Sequence, residues 1–439
     1  MPLSRDKENI CQKATTLQEL ITLKNKTQLS SENIHSCYVP RQSLSTPPIN
    51  EKIKRFFDLS HHDESKKIIL AGPKGAGKTS LVCHLYHNDL DHFHIIPVHL
   101  LRTLDPMDIS QVDILFCLLN HLIGFLSSSQ KRIDPFVLNT IYQCLNDEQI
   151  IELIKFKKSE AGDEEGTKIG FVKTIIGAIV EALSTTSGNV REHIRDALAP
   201  TIRLILKGIQ EIVHYINRIN QNENKKLLII FDDLDQFDMK TAHLFFQNHL
   251  PITERLHVHI IYSMPDYIRF SHYFNTLVTR MDCIFYMRMI PVHDQTQHRF
   301  EKGQLFIKAI IANRIDLQLI PEPILDRLIV LSGGVLYQVF DMIIDTALET
   351  LIMAPSSPCL IQEAFENVHR RYQHQLLHQM DSDQVELLSK LNLSKPSWSD
   401  NKNIQQLMAQ NILIEYECLG DVWFDIHPLA KAYINRHPS

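Results

Sequence analysis

The chain has 439 residues, 44% of them apolar and 22% charged, which is ordinary globular usage and excludes a disordered or fibrous protein. At roughly 150 residues per domain, two or three domains are expected. The formal charge of -6, from 45 basic and 51 acidic residues, excludes global attraction to a polyanion. No strongly apolar stretch reaches a dozen residues (Ile175 to Val180 is typical), and a membrane span needs roughly 20. No membrane association is therefore expected. The opening MPLSRDKENICQ has no apolar signal region, so secretion is not expected. The eight cysteines form no CxxC pair and read as reduced thiols of a cytoplasmic protein.

Residues 1 to about 45 are polar and end in Ser45-Thr46-Pro47-Pro48, the pattern of a loosely ordered arm. Ile49, Ile53, Phe56 and Phe57 then recur at helical spacing, which predicts a helix. Lys66 to Ala71 reads as a buried strand, and Ser80 to His87 as a helix. Further strands are predicted at His94 to Leu100, Leu227 to Phe231, Val258 to Tyr262 and Ile284 to Met289. A helix fits Ile109 to Ser127, and residues 130 to 224 are mostly helical. Strands alternating with helices predict an α/β fold, a parallel sheet with helices on both faces. Helices dominate from about 296 to 380, and residues 381 to 439 form a small separate unit. No internal repeat is present.

The sharpest local signal is Gly72-Pro73-Lys74-Gly75-Ala76-Gly77-Lys78-Thr79, followed by Ser80. It satisfies G-x-x-x-x-G-K-[ST] and lies between a predicted strand and a predicted helix. Its glycines allow successive N–H groups to turn inward around phosphate oxygens, aided by the positive end of the helix. In that setting Lys78 reaches the β and γ phosphates, and the Thr79 hydroxyl can bind Mg²⁺.

Such a loop needs an acidic partner at a neighbouring strand end. Leu227-Leu228-Ile229-Ile230-Phe231 runs straight into Asp232-Asp233-Leu234-Asp235. A fully buried strand thus ends at the carboxyl edge of the sheet, where ligands bind. Asp232 is the expected Mg²⁺ partner. Asp233 faces the other side of the strand end and can orient or deprotonate an attacking water, so Asp233 and Lys78 are the catalytic candidates. Asp235 reads as a turn residue.

Together these motifs resemble the AAA+ and STAND branches of P-loop ATPases, especially origin-recognition-type proteins and bacterial members with a C-terminal winged helix. The resemblance spans most of residues 38 to 435. It implies a P-loop NTPase sheet over 46–295 with a helical insertion near 130–224, a helical lid over 296–380 and a winged helix over 381–439. It also implies ATP and Mg²⁺ as ligands. Tyr38-Val39-Pro40-Arg41 resembles the segment near the adenine, which makes Arg41 a binding candidate. Ile260-Ile261-Tyr262-Ser263 resembles the sensor-1 strand, with Ser263 near the γ-phosphate. Ser332-Gly333-Gly334 resembles the start of the sensor-2 helix, and Trp423 to Leu429 the close of the winged helix.

Three departures qualify what the resemblance implies. The second acid of the strand is Asp233, where many members carry Glu; Asp is one methylene shorter, and about 1 Å of misplacement can cost roughly a hundredfold in rate. STAND switches accept Asp there, so slow hydrolysis is expected. The position that would hold the sensor-2 arginine is Tyr337. About 154 residues separate Lys78 from Asp232; the centre of that insertion, Gly170 to Val180, reads either as a partner or self-association helix or as a helix buried on the core. Arg255 and Arg280, both before predicted strands, are candidates for a trans-acting arginine finger or else ordinary surface arginines.

The 23 histidines include His84 and His87, beside Cys83 on one helix, but show no zinc-like spacing, so no metal cluster is expected. In the C-terminal unit, helices near Val385 and Ile404 precede two strands joined by a turn at Leu419 to Asp421, which fits a winged helix. Eight acidic and five basic residues between 381 and 439 give a charge of -3. A DNA reader needs clustered cations, so a protein-contact or autoinhibitory wing is favoured. The sequence thus predicts a slowly hydrolysing ATPase that switches self-assembly or binding of a protein partner. A DNA-associated ATPase resembling replication initiators or loaders is the alternative.

Overall fold

The computed structural model describes residues 13–23, 33–41, 47–59, 64–128, 168–186, 188–221, 225–391, 401–418 and 420–434. Expectations for the rest of the polar arm and for 129–167 of the insertion lie outside those residues.

Five strands form one sheet: β1 (Lys67–Ala71), β2 (Phe93–Val98), β3 (Lys226–Phe231), β4 (His259–Met264) and β5 (Cys283–Tyr286). Their order is β2-β3-β4-β1-β5, and every pairing is parallel. Alternate residues divide between the two faces, as the strand period of two requires. Ile69, Ala71, Ile229, Phe231, Ile260 and Tyr262 enter a core shared with the helix Gln111–Ser128. Ile68, Leu70, Leu228, Ile230 and Ile261 enter another, with Ile53 and Phe57 of the helix Ile49–Asp58. The fold is that of a P-loop NTPase, α/β with further helical units. One predicted strand is shorter than expected: β5 stops at Tyr286, not Met289. Met287 N–H still donates to Ala71 O (2.7 Å), but Met289 N–H turns to Glu415 O (3.2 Å) in the C-terminal unit.

Within the insertion, the helix Lys168–Thr185 packs on Gln111–Ser128. Val172, Ile175, Ile176, Ile179, Val180 and Leu183 are all buried there. Of the two readings of this segment, burial on the core is the one observed. The helix Gln111–Ser128 is long and apolar enough to cross a membrane by length and composition, contrary to the expectation that no segment was. Here its residues Leu115, Phe116, Leu119 and Leu122 are core. Arg195 ties the insertion to the exit of β2, meeting Asp113 at 2.5 Å and Asp108 at 2.7 Å.

The N-terminal arm is more ordered than its composition suggests. The helix Leu17–Thr22 is capped by the Thr16 side chain, and Leu17, Leu20 and Leu23 join the core of the helical region. That region comprises the helices Glu301–Ala312, Glu322–Leu331, Leu336–Met353 and Gln362–Leu377. The C-terminal unit has helices Ser382–Lys390 and Lys402–Ala409, an antiparallel pair β6 (Leu413–Cys418) and β7 (Asp421–Ile426), and a closing helix Pro428–Ile434.

Candidate functional site

The loop between β1 and the helix Lys78–His84 lies at the carboxyl edge of the sheet. Gly75 and Gly77 hold φ of 89° and 96°, a region that side-chain-bearing residues rarely enter. That curl brings the Lys78 ammonium back over the loop, donating to Gly72 O at 2.5 Å and Pro73 O at 2.8 Å. Lys78 also ion-pairs with Asp235 at 2.8 Å, in a buried setting. At the next residue the Thr79 hydroxyl donates to Asp232 Oδ1 at 3.4 Å. The fold therefore brings Lys78, Thr79 and Asp232 to one place from strands far apart in the chain. Thr79 and Asp232 offer a hydroxyl and a carboxylate, hard oxygen donors that fit Mg²⁺, which keeps most of its waters and takes few protein ligands.

The acidic turn departs from expectation at two positions. Asp233 has φ of 48°, a left-handed geometry Asp tolerates. This sends its carboxylate to the end of β2, where Oδ2 accepts the Leu101 N–H at 3.1 Å. Neither Asp232, which reaches the site through Thr79, nor Asp233 lines the cavity over the loop; Asp235 does, beside Thr79 and Ser80. The physical reason is the 3₁₀ turn Leu234–Gln236, whose three-residue period returns residue 235 to the side of residue 232. Burial, more than its acidic neighbours, pushes the Asp233 carboxyl up to about 7. Ser263 does not line the cavity either. Its buried hydroxyl accepts the Leu234 N–H at 3.1 Å and so braces the turn carrying Asp235.

The cavity encloses about 250 Å³. Lys74, Gly75, Ala76, Gly77, Lys78, Thr79 and Ser80 form its floor, while Gly72 and Pro73 act from beneath by holding Lys78. Tyr38, Val39 and Arg41 form one wall; Phe306, Ile310 and Phe340 form an apolar wall from the helical region. Arg41 donates to Arg288 O at 2.9 Å and to Ala76 O, so it fastens the loop backbone; burial brings its guanidinium down to about 10. Tyr337 also lines the cavity, with Lys74 Nζ 5.8 Å from its ring centroid. Arg314, which sequence reasoning missed, lines the wall and donates to Cys37 O and Ile310 O at 3.0 and 2.9 Å. Its signal was absent because residue 314 approaches only through the packing of distant helices.

Three regions meet at this loop. Leu336 N–H donates to Gly75 O at 3.2 Å. Asn411, between the C-terminal helices and β6, donates to Lys74 O at 3.0 Å and to the Tyr337 hydroxyl at 3.4 Å. Arg255 and Arg280 do not approach this chain's own loop, and a trans-acting finger would not need to. Both precede strands at the amino edge of the sheet, roughly 20 Å from its carboxyl edge for six-residue strands. Arg280 lies 3.9 Å from Glu254.

Residues 48–249 match the model of the KAP family P-loop domain. No curated protein matches the chain. Among solved structures, the Walker-type ATPase PABY2304 of Pyrococcus abyssi aligns at 11% identity and TM-score 0.42, over 90% of this chain and 96% of its own. Cdc6p of Pyrobaculum aerophilum aligns at 10% identity and TM-score 0.38, over 93% and 97%. The Drosophila ORC bound to DNA aligns at 10% identity and TM-score 0.37, over 100% and 96%. Strand order and loop geometry, rather than these distant likenesses, define the fold here.

Proposed function

We propose that the chain binds ATP with Mg²⁺, hydrolyses it slowly, and uses the bound state to switch self-assembly or a protein partner. The observation that carries this reading is the meeting of three regions on three consecutive loop residues: Leu336 on Gly75, Asn411 on Lys74, and Arg41 on Ala76. Whatever fills the loop must alter what those contacts hold. Phosphate oxygens would take the loop N–H groups and the Lys78 ammonium. Thr79 and Asp232 would hold Mg²⁺, which would neutralise developing phosphate charge. The apolar wall of Phe306, Ile310 and Phe340 suits a base.

We read 301–377 as a lid and the C-terminal helices with β6 and β7 as a winged helix of the STAND-type arrangement. Two acidic residues of β6 are turned inward: Glu415 meets Arg269 and Arg288, and Glu417 meets Arg288. The wing thus serves as an intramolecular contact, supporting a switch over a DNA reader. The test is calorimetric titration of ATP with Mg²⁺, paired with light scattering in both nucleotide states. Binding by the natural chain that Lys78→Ala abolishes, with a nucleotide-dependent change of mass or shape, is expected. No binding at millimolar ATP refutes the proposal. Duplex DNA binding at low ionic strength would instead favour the replication-initiator-like alternative.

A further inference from the structure

The expected hydrolytic carboxylate, Asp233, is committed elsewhere, and the cavity still contains one acid. We infer that Asp235 handles the attacking water; this rests on the ATP-binding reading above and deepens it. Among the described residues that line the cavity, Asp235 is the sole carboxylate. Its side chain is 9% exposed, and one oxygen, Oδ1, is buried with no hydrogen-bond partner. The other, Oδ2, holds Lys78 at 2.8 Å. Asp232 is engaged with Thr79 at 3.4 Å; Asp233 also has a buried Oδ1 without a partner, but it holds Leu101 on the far side of the turn and does not line the cavity.

A buried acceptor lacking a donor is an unfavourable arrangement that a bound molecule can relieve. Water is the donor that fits. Phosphate oxygens compete with Asp235 for Lys78, so substrate entry also releases Oδ2. In the step itself, a lone pair of the water oxygen bonds to the γ-phosphorus. The bond from that phosphorus to its bridging oxygen breaks, and its electron pair leaves on ADP. One water proton passes to Asp235, and from there to solvent as phosphate departs. Ser263 positions this carboxylate by fixing the Leu234 N–H.

The experiment compares the full-length chain with Asp235→Asn and Asp233→Asn. ATP affinity is measured by calorimetry, and the nucleotide retained after one round with excess protein is identified by chromatography. Asp235→Asn is expected to bind ATP within about tenfold of the natural chain and to retain it uncleaved, its single-turnover rate falling a hundredfold or more. Asp233→Asn is expected to retain mostly ADP, with a rate within about tenfold. The inference is overturned if Asp235→Asn cleaves at near the natural rate, if it no longer binds ATP, if Asp233→Asn is the variant that retains ATP, or if the natural chain binds ATP and never cleaves it. In the last case the switch reading survives. Failure of the natural chain to bind ATP overturns both, and calorimetry reports it before any rate is measured.

Discussion

Asn411 donates a 3.0 Å hydrogen bond to the carbonyl of Lys74, so a residue near the end of the chain touches the turn that would wrap a phosphate. Asn411 itself has φ of 54°, which makes glycine the informative replacement because it keeps the backbone geometry while deleting the amide. A hydrogen bond of this kind contributes about 1 kcal/mol. Asn411→Gly should therefore shift ATP affinity by roughly three- to tenfold with little loss of melting temperature. Unchanged affinity in calorimetry would show that the contact is not coupled to the site.

Glu415 sits 3.2 Å from Arg288 and also pairs with Arg269, with only 4% of its side chain exposed. Removing one member of a buried charge cluster leaves the others uncompensated, at a cost of about 3–5 kcal/mol. Glu415→Gln should lower stability toward that range because both arginines stay in place. Urea unfolding followed by tryptophan fluorescence is apt, since Trp423 stacks near Tyr416 in the same hairpin. A midpoint equal to that of the natural chain would contradict the assignment.

Two buried groups set opposing pH dependences. Burial raises the Asp233 carboxyl from 3.8 to about 7, so the folded state holds the proton more tightly than the unfolded one. The stability this gives is complete below the unfolded value and is lost as pH rises through about 7. Burial lowers His427 from 6.5 to about 4; its Nδ1 accepts the Leu429 N–H at 3.2 Å while Nε2 meets Gln338 at 2.9 Å. That contribution is complete above 6.5 and is lost as pH falls through about 4. Asp233→Asn should thus gain melting temperature, relative to the natural chain, more at about pH 8 than at about pH 5. A gain that is flat across that interval would refute the placement of Asp233.

A Cβ added at Gly75 would lie 2.8 Å from Val335 and 2.9 Å from the Tyr337 ring, on a backbone at φ +89°. The conformation alone costs about 1–2 kcal/mol for a residue with a side chain. Gly75→Ala should weaken ATP binding by more than tenfold and loosen the seating of the helix Leu336–Met353. Hydrogen exchange at the Leu336 amide, bonded to Gly75 O, would report the second effect; unchanged protection there would count against it.

Lys78, Thr79 and Asp232 were legible because each lies in a short pattern whose meaning is local: a glycine-rich turn, and a run of apolar residues ending in acid. Asp235 was read as a turn residue and does lie in a tight turn, but its approach to Lys78 depends on the positive φ of Asp233 before it, which has no sequence signature. Ser263 was placed on the right strand, yet its hydroxyl points at Leu234 rather than the cavity. Leu17 and Leu20 were hidden by their polar surroundings, since a six-residue helix is too short to display a period. The early end of β5 was illegible for another reason: Met289 leaves the sheet to meet Glu415, a partner more than a hundred positions away.

The strand order also constrains how the protein is made. Lys67 pairs with Ile260 and Ile68 with Cys283, so β1 emerges from the ribosome long before either of its neighbours. The sheet around the nucleotide cradle cannot close on a nascent chain until β5, ending at Tyr286, has been synthesised. Contacts this distant in sequence form slowly, and an apolar strand left waiting is open to misassociation. A truncation that stops before β4 should therefore yield insoluble chains, however complete its glycine-rich motif.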